Sequence, residues 1–316
     1  MDKKIKIISL ITLISSFVVI DLTIFGLFTS LVLPSGSAVM RAKSIELGEY
    51  LPFEENSKII KKKDNLSLTG EKPIIDSAAA LYPISSSFVN AIYDKEDVKY
   101  VNDNYTSSSK LQMNNTRNCY KGIVDGNIDI GLLAKPSSQQ LEYASKNNVE
   151  LILEPIGYES FVFLVNKNNP IDSLTIEQVK GIYNGKYTNW SELGGYNKEI
   201  IPLQRNEDSG SQTAFLSFMN GEKTISKPLN IFGSAIGFSF RYYVEDVVKN
   251  GNVKVISLND VYPNKENIQN KTYPIVSSFY AVYSSKNTNP NVKKIVDWMK
   301  LDVAQEIINE VGYVGL

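Results

Sequence analysis

The chain has 316 residues, a formal net charge of −1, no histidine and a single cysteine. Without histidine it can form neither a Ser–His–Asp triad nor an imidazole metal site, and one thiol can form neither an internal disulfide nor a thiolate cluster. The near-neutral charge gives no overall attraction to nucleic acid, so an anion needs a local site. Carboxylate chemistry stays open, but no spacing singles out a pair, and we expect no enzyme, metal, cofactor or nucleic-acid partner.

The N-terminus has the pattern of a membrane anchor. Residues 1–33 carry three lysines within the first six positions and are apolar from Ile7 onward, apart from Asp21 and scattered Ser, Thr and Gly. A bilayer is crossed by about 20 apolar residues, and flanking lysines stay in the cytoplasm. We predict a retained signal anchor, one transmembrane helix that places the C-terminal part outside the cytoplasm at the cell membrane. Cleavage after the small residues 35–38 is the alternative.

A polar segment follows the anchor. Residues 34–71 show no clean apolar period, and an acidic stretch with Glu54 and Glu55 is followed by the lysine run 61–63. Such charge runs are typical of solvated chain. The sequence therefore predicts a polar tether.

Residues 72–316 alternate short apolar strands with amphipathic helices, which is typical of an α/β domain with a mainly parallel sheet. Three strand-to-helix turns stand out, at 79–82, 116–118 and 209–212. Ligands of open α/β sheets bind at such turns, where several helix N-termini can converge.

The third turn has the features of an anion cradle. Ser209, Gly210 and Ser211 open a helix, and Arg205 lies four residues upstream of the first of them. A helix N-terminus offers unpaired N–H groups and partial positive charge, the glycine allows close approach, and arginine can clamp phosphate or carboxylate. Ser209 and Gln212 also have capping-box spacing, so capping without a ligand remains the alternative.

Several segments, in their order along 72–316, resemble the substrate-binding proteins of ABC phosphate importers. The segments are DSAAALYP (76–83), GNIDIGLLAKP (126–136), IYNGKYTNWSEL (182–193), RNEDSGSQTAF (205–215), AIGFSF (235–240), YP (273–274) and AQEIINEVGYVGL (304–316). The resemblance implies the two-lobed type II periplasmic-binding-protein fold with a hinge, lobe 1 being about 72–158 and 274–316 and lobe 2 about 159–273. It also implies a small oxyanion, phosphate in the simplest case, held between the lobes and delivered to an ABC permease.

The resemblance also implies which residues bind the anion. Those carried over by position are Arg205, Ser209, Gly210 and Ser211 from the second lobe, and Thr116 with the backbone N–H groups of Leu81 and Tyr82 from the first. Ala79, Arg117 and Lys135 are further candidates.

The chain departs from the family pattern at two places. Ala79 and its neighbours lack a hydroxyl, and Ala134 and Lys135 stand where the family has a proton-accepting aspartate. The ligand could accordingly be a fully ionised oxyanion, an organic phosphate or a carboxylate. These departures also keep a second hypothesis open, in which the protein is an anchored sensor or interaction module with a degenerate site.

Overall fold

The structure, a computed structural model, describes residues 45–227, 233–248 and 251–316. The predicted membrane anchor and residues 34–44 of the predicted tether lie outside these ranges. Within them, no helix has the length and apolar character that crossing a membrane requires.

A mixed sheet forms the centre of the described chain. The strands are β1 (Ile75–Ser77), β2 (Tyr100–Val101), β3 (Asn104–Tyr105), β4 (Ile130–Leu133), β5 (Leu151–Asn166), β6 (Ser173–Leu174), β7 (Ile200–Pro202), β8 (Ser234–Phe240), β9 (Val253–Val255), β10 (Ser257–Leu258) and β11 (Val276–Ser284). Seven of them form one sheet in the order β1-β4-β11-β5-β8-β7, with β9 also paired to β5. The β1–β4 and β7–β8 pairs are parallel, whereas all pairs made by β5 and β11 are antiparallel. The expected mainly parallel sheet is therefore wrong, because these two long strands run against their neighbours.

Helices pack against the strands of this sheet. They are α1 (Tyr82–Ile92), α2 (Asn115–Asp125), α3 (Ser138–Lys146), α4 (Ile176–Tyr183), α5 (Gly210–Met219), α6 (Lys265–Gln269), α7 (Pro290–Trp298) and α8 (Asp302–Val311). Short 3-10 helices occupy Leu47–Tyr50, Ala79–Leu81, Lys95–Asp97 and Trp190–Leu193, and a π-helix spans Tyr243–Val248. Ser137 and Thr175 begin α3 and α4 with complete capping boxes, a local signal that fixes where each helix starts.

The two largest hydrophobic cores of the described residues define two lobes. One core packs α1, α7 and α8 against β1 and β4, with Phe88 edge-on to Trp298 at 5.2 Å between ring centroids. The other packs α4 and α5 against β8, with Phe215 stacked on Phe238 at 4.4 Å. We call the parts around these cores the first and the second lobe. Burial of such aromatic side chains makes the main favourable contribution to the free energy of folding in each core.

The strands β5 and β11 connect the lobes. The first part of β5 pairs with β11, and Phe161 to Val165 pair with β8 of the second lobe. The β5–β11 register shifts between Phe279 and Tyr280, and the Phe279 ring leaves no room for a side chain at Gly157, whose added Cβ would lie 2.5 Å from it. Tyr158 is also bonded through its backbone to Val314. The connection is thus a narrow ribbon with a bulge at its centre.

Residues 45–71 pack against the first lobe, in contrast to the tether expected there. Ile45, Tyr50 and Ile59 are buried in its core, and Lys62 forms ion pairs of 2.5 and 2.6 Å with two carboxylates of α8. We call this segment the strap. Apart from the short 3-10 helix Leu47–Tyr50, its backbone is irregular, so no apolar period marks these contacts in the sequence.

Candidate anion-binding site

A cavity of about 540 Å³ lies where the two lobes meet the connecting ribbon. The first lobe contributes Ala78 to Leu81, Asn115 to Arg117, Ala134 and Tyr313, the second lobe contributes Arg205 to Ser211, Ser239, Phe240 and Tyr243, and the ribbon contributes Glu159 and Ser277 to Phe279. The structure thus brings the three strand-to-helix turns of the sequence together around one space, which is large enough for a small ligand.

The start of α5 combines a cap with free donors. Ser209 is its N-cap, and the Ser209 Oγ accepts the Gln212 N–H at 3.2 Å. The Gln212 side chain does not complete the capping box, because its Oε1 accepts the Arg205 N–H at 2.8 Å instead. Gly210 and Ser211 are the first helical residues, whose N–H groups lack intrahelical acceptors, and both line the cavity. Capping therefore explains only part of the motif.

Arg205 is the cation best placed for an anion. Its side chain lines the cavity and is half-buried. The arginine ion pairs among the described residues involve Arg117 and Arg241 but not Arg205. Burial lowers the pKa of the Arg205 guanidinium, and the Tyr243 hydroxyl acts in the opposite direction. A desolvated charge without a carboxylate partner is stabilised strongly by a bound anion.

The start of α2 faces α5 across the cavity. An added Cβ on Gly210 would lie 3.6 Å from Thr116 Oγ1 and 3.4 Å from Ala134 Cβ, so the lobes are in near contact here. Asn114 rather than Thr116 precedes the helix. The carboxylate of Asp76 accepts the backbone N–H of Asn114 at 2.9 Å and holds it in place. Thr116 lies in the first turn, with its hydroxyl not used as a cap.

Arg117 is the more exposed arginine of the cavity. Its side chain is 73% exposed, and its Nε lies 3.7 Å from Asp208 Oδ2. Asp208 is buried, so this carboxylate already balances the charge of Arg117.

The remaining predicted residues divide into two groups. Ala79 and Leu81 line the cavity. Tyr82 does not: it is fully buried, and its hydroxyl bonds to that of Tyr105 at 2.5 Å. Lys135 lines an adjoining second cavity of about 480 Å³, which shares Ala134, Gly210, Phe240, Ser277 and Ser278 with the first.

Glu159 is the principal residue that the sequence reasoning missed. It lies on β5, is 4% exposed and lines the cavity. The Ser160 N–H donates to its Oε1 at 2.8 Å and the Tyr242 N–H donates to its Oε2 at 3.2 Å. Burial raises its pKa to about 7, against the opposing effects of Arg241 and these N–H groups. The available signal was a charged residue two positions before the apolar run 161–165.

The other missed residues add hydroxyl groups. Ser239, Ser277, Ser278 and Tyr243 line the cavity, so polar donors surround it from the ribbon and the second lobe. In the described ranges, acidic and thiol side chains do not gather in threes as a metal site would need.

Comparisons with known proteins agree on the family. Residues 75–302 match the profile of a family described as a PBP superfamily domain. The phosphate-binding protein PstS of Bacillus subtilis is 22% identical over 268 residues, which cover 80% of this chain and 85% of that protein. Protein SphX of Synechococcus elongatus is 25% identical over 266 residues, 76% of each chain.

Solved structures show the same fold. The chain is similar to a putative phosphate ABC transporter substrate-binding protein with bound phosphate from Clostridium perfringens, with a TM-score of 0.57, 21% identity and coverage of 78% of this chain and 100% of that one. It is also similar to an ABC-type phosphate transport receptor from Vibrio cholerae, with a TM-score of 0.55, 21% identity and the same coverages.

Proposed function

Because the chain belongs to the PBP superfamily, we propose that it is an extracytoplasmic solute-binding protein that captures phosphate between its lobes for an ABC importer. The observation that carries this proposal is Arg205, a half-buried guanidinium without a carboxylate partner among the described residues, beside the N-terminus of α5. The names of relatives such as the PstS proteins support phosphate as the anion. The protein binds and releases its ligand and is not an enzyme.

The second lobe would provide most of the contacts. Arg205 supplies charge, and the N–H groups of Gly210 and Ser211 supply donors aligned with the helix dipole. The Ser209 hydroxyl accepts one hydrogen bond from Gln212, which leaves its own hydrogen to donate to the anion. A bound oxyanion would thus contact the positive charge of Arg205 and several neutral hydrogen-bond donors at the same time.

The first lobe would complete the site. The Thr116 hydroxyl and the backbone of Ala79 and Leu81 line the opposite wall. An anion that contacts both walls binds the closed arrangement better than the open one, and this difference in affinity drives closure.

We also propose that residues 1–33 hold the protein in the membrane with a single helix and place the lobes outside the cytoplasm. Only residues 34–44 separate this segment from the buried Ile45 of the strap. At about 3.5 Å per extended residue, the first lobe would stay within roughly 40 Å of the bilayer. Such a position suits delivery to a permease.

The test is calorimetric titration of the full-length chain, purified in detergent and dialysed exhaustively, with phosphate, sulfate and a phosphate ester. Phosphate is expected to bind with a dissociation constant of about 1 μM or lower, corresponding to about −8 kcal/mol. Absence of both heat and thermal stabilisation with every anion would contradict the proposal.

A sensor or interaction module is the alternative function. The observation in favour of this alternative is that the first-lobe wall has alanine at 78–80 and 134. These positions therefore offer an anion neither a side-chain hydroxyl nor a carboxylate. It would be supported if the titration showed no anion binding while the folded protein still associated with a membrane partner.

A further inference from the structure

The anion-binding cavity adjoins a second cavity that the proposed function does not use. The second cavity, of about 480 Å³, lies between α4 and α5 of the second lobe, β11 of the ribbon and the residues that follow β4 in the first lobe. The two cavities have five lining residues in common. Inorganic phosphate is much smaller than the ligands that cavities of such volume usually hold. A molecule bound in the first cavity therefore has room to extend into the second.

Gly210 lies where the two cavities meet. An added Cβ on Gly210 would lie 3.4 Å from Ala134 Cβ and 3.6 Å from Thr116 Oγ1. These are ordinary van der Waals separations, so the space beside Gly210 accommodates one carbon atom without displacing either neighbour. One carbon atom is the width of an alkyl chain. The boundary between the cavities thus suits a narrow linkage between a phosphate and an organic group.

The second cavity offers apolar surface to such a group. Phe218, Phe240, Ile275 and Val276 line it, and each of them is only partly buried. Phe218 is held in place by the ring of Phe163, at 5.2 Å between the ring centroids. An apolar group that covers these side chains removes their exposed surface from water, which favours its binding.

Two lysines also line the second cavity, but their surroundings do not favour a second anion. Lys180 pairs with Glu222 at 3.0 Å, and its Nζ lies 5.6 Å from the centroid of the Phe218 ring. Lys135 is exposed, so water and salt screen its charge. An uncharged, mostly apolar group therefore fits this space better than a second phosphate.

A phosphate monoester also suits the uneven distribution of donors in the first cavity. Its terminal oxygens carry the charge and require donors, which Arg205 and the N–H groups of Gly210 and Ser211 would supply. Its ester oxygen is bonded to carbon, carries little charge and needs no donor. Such an oxygen tolerates the alanine at position 134, whose side chain offers no polar group.

We propose that the site binds phosphate monoesters with a small, mostly apolar organic group: the phosphate lies beside Arg205, and the organic group passes Gly210 into the second cavity. This inference rests on the proposed function, because it uses the same anion site and adds a class of ligand to it. The organic group buries additional apolar surface, so the ester binds more tightly than inorganic phosphate.

The experiment is calorimetric titration of the full-length chain with inorganic phosphate and with phenyl phosphate. Phenyl phosphate should bind about tenfold more tightly than phosphate, with one molecule per chain. Saturation with phosphate should weaken the apparent binding of phenyl phosphate, because the two ligands compete for the same anion site.

A variant of α5 tests where the organic group lies. Ala214 follows Gly210 by one helical turn and lines the second cavity but not the first. Ala214→Leu should lower phenyl phosphate affinity about tenfold and change phosphate affinity by about twofold or less. Leu216→Phe is the control, because Leu216 is an exposed residue of the same helix that lines neither cavity; it should change neither affinity.

The outcomes distinguish the two proposals. If phosphate binds but phenyl phosphate binds no more tightly, the inference is wrong and the proposed function stands. This comparison needs no variant, so it applies even if Ala214→Leu fails to fold. Unchanged phenyl phosphate affinity in a folded Ala214→Leu variant, or a second phosphate bound per chain, would also overturn the inference. If neither ligand binds the unchanged chain, both proposals fall.

Discussion

Asp208 of the second lobe accepts a hydrogen bond from Ser137 of the first, with 2.7 Å between Asp208 Oδ1 and Ser137 Oγ. The Gln140 side chain adds a bond to the Asp208 carbonyl at 3.3 Å. Asp208 adopts a positive φ of 61° in the turn directly before the N-cap Ser209 of α5. The two lobes are thus linked directly, beside the cavity, by groups that need no ligand between them.

Replacing Ser137 by alanine should loosen this link. Loss of one hydrogen bond of about 1 kcal/mol would shift the lobes toward the open arrangement and lower anion affinity about threefold to fivefold. Small-angle scattering of the ligand-free protein should show a larger radius of gyration, and titration should show the weaker binding.

Thr175→Ala is the control for Ser137→Ala. Both residues are N-caps with complete capping boxes, and each substitution should cost about 1 kcal/mol of stability through the helix start. Only Ser137 also contacts Asp208. Equal changes in anion affinity for the two variants would show that the link between the lobes has no role in binding.

Arg205→Ala should lower phosphate affinity by about tenfold to a hundredfold, because it removes a charged contact inside a partly desolvated cavity. Arg117→Ala provides the comparison, since its side chain is mostly exposed and lies near Asp208; it should change affinity about threefold or less. Calorimetry measures both. An Arg205→Ala variant that is folded and binds phosphate as tightly as the unchanged chain would place the site elsewhere.

The pH dependence of stability should reveal the burial of Glu159. Its pKa is raised in the folded state from 4.5 to about 7, so between these values the folded chain binds more protons than the unfolded chain. The contribution of Glu159 to the free energy of unfolding is therefore highest at low pH and falls as the pH rises toward 7, by about 3 kcal/mol.

Denaturant unfolding of the unchanged chain and of Glu159→Gln across pH 4 to 8 measures this contribution by difference, since the other titrating groups are common to both. The variant should gain stability relative to the unchanged chain as the pH rises through this window. A constant difference would mean that Glu159 titrates normally in the folded protein.

The strap should contribute to the stability of the first lobe. Ile59 is 6% exposed and belongs to the first-lobe core, so Ile59→Ala should lower the free energy of unfolding by about 2–4 kcal/mol. The exposed Ser67 on the same strap gives a control, and Ser67→Ala should change stability by about 0.5 kcal/mol or less. Urea denaturation distinguishes them, and equal midpoints would show that the strap does not take part in the folding unit.

The sequence predicted the turn residues of the site better than its centre. The start of α5 and the neighbourhood of Thr116 are marked by local chemistry, namely capping residues, glycine and arginine, and the structure brings both to the cavity. Glu159 lies on an extended strand, and its nearest charged partner, Arg241, is far along the chain. Burial of such a residue depends on long-range pairing, which no short pattern encodes.

The same limit applies to the fold. The alternation of strands and helices indicated an α/β architecture, but the antiparallel pairing of β5 with β11 joins segments more than a hundred residues apart. The resemblance to the phosphate importers' substrate-binding proteins likewise marked a turn at Leu81 and Tyr82. It did not distinguish Leu81, which lines the cavity, from Tyr82, which is buried.

The bulged ribbon formed by β5 and β11 has a mechanical consequence. A two-stranded strip bends readily out of its own plane and resists bending within it, and a bulge concentrates the bend where the register shifts. The backbone pairing of Tyr158 with Val314 and the packing of the Phe279 ring over Gly157 hold the strands together beside the bulge. The lobes should therefore open by rotation about one hinge axis. The walls of the cavity should separate without sliding past each other.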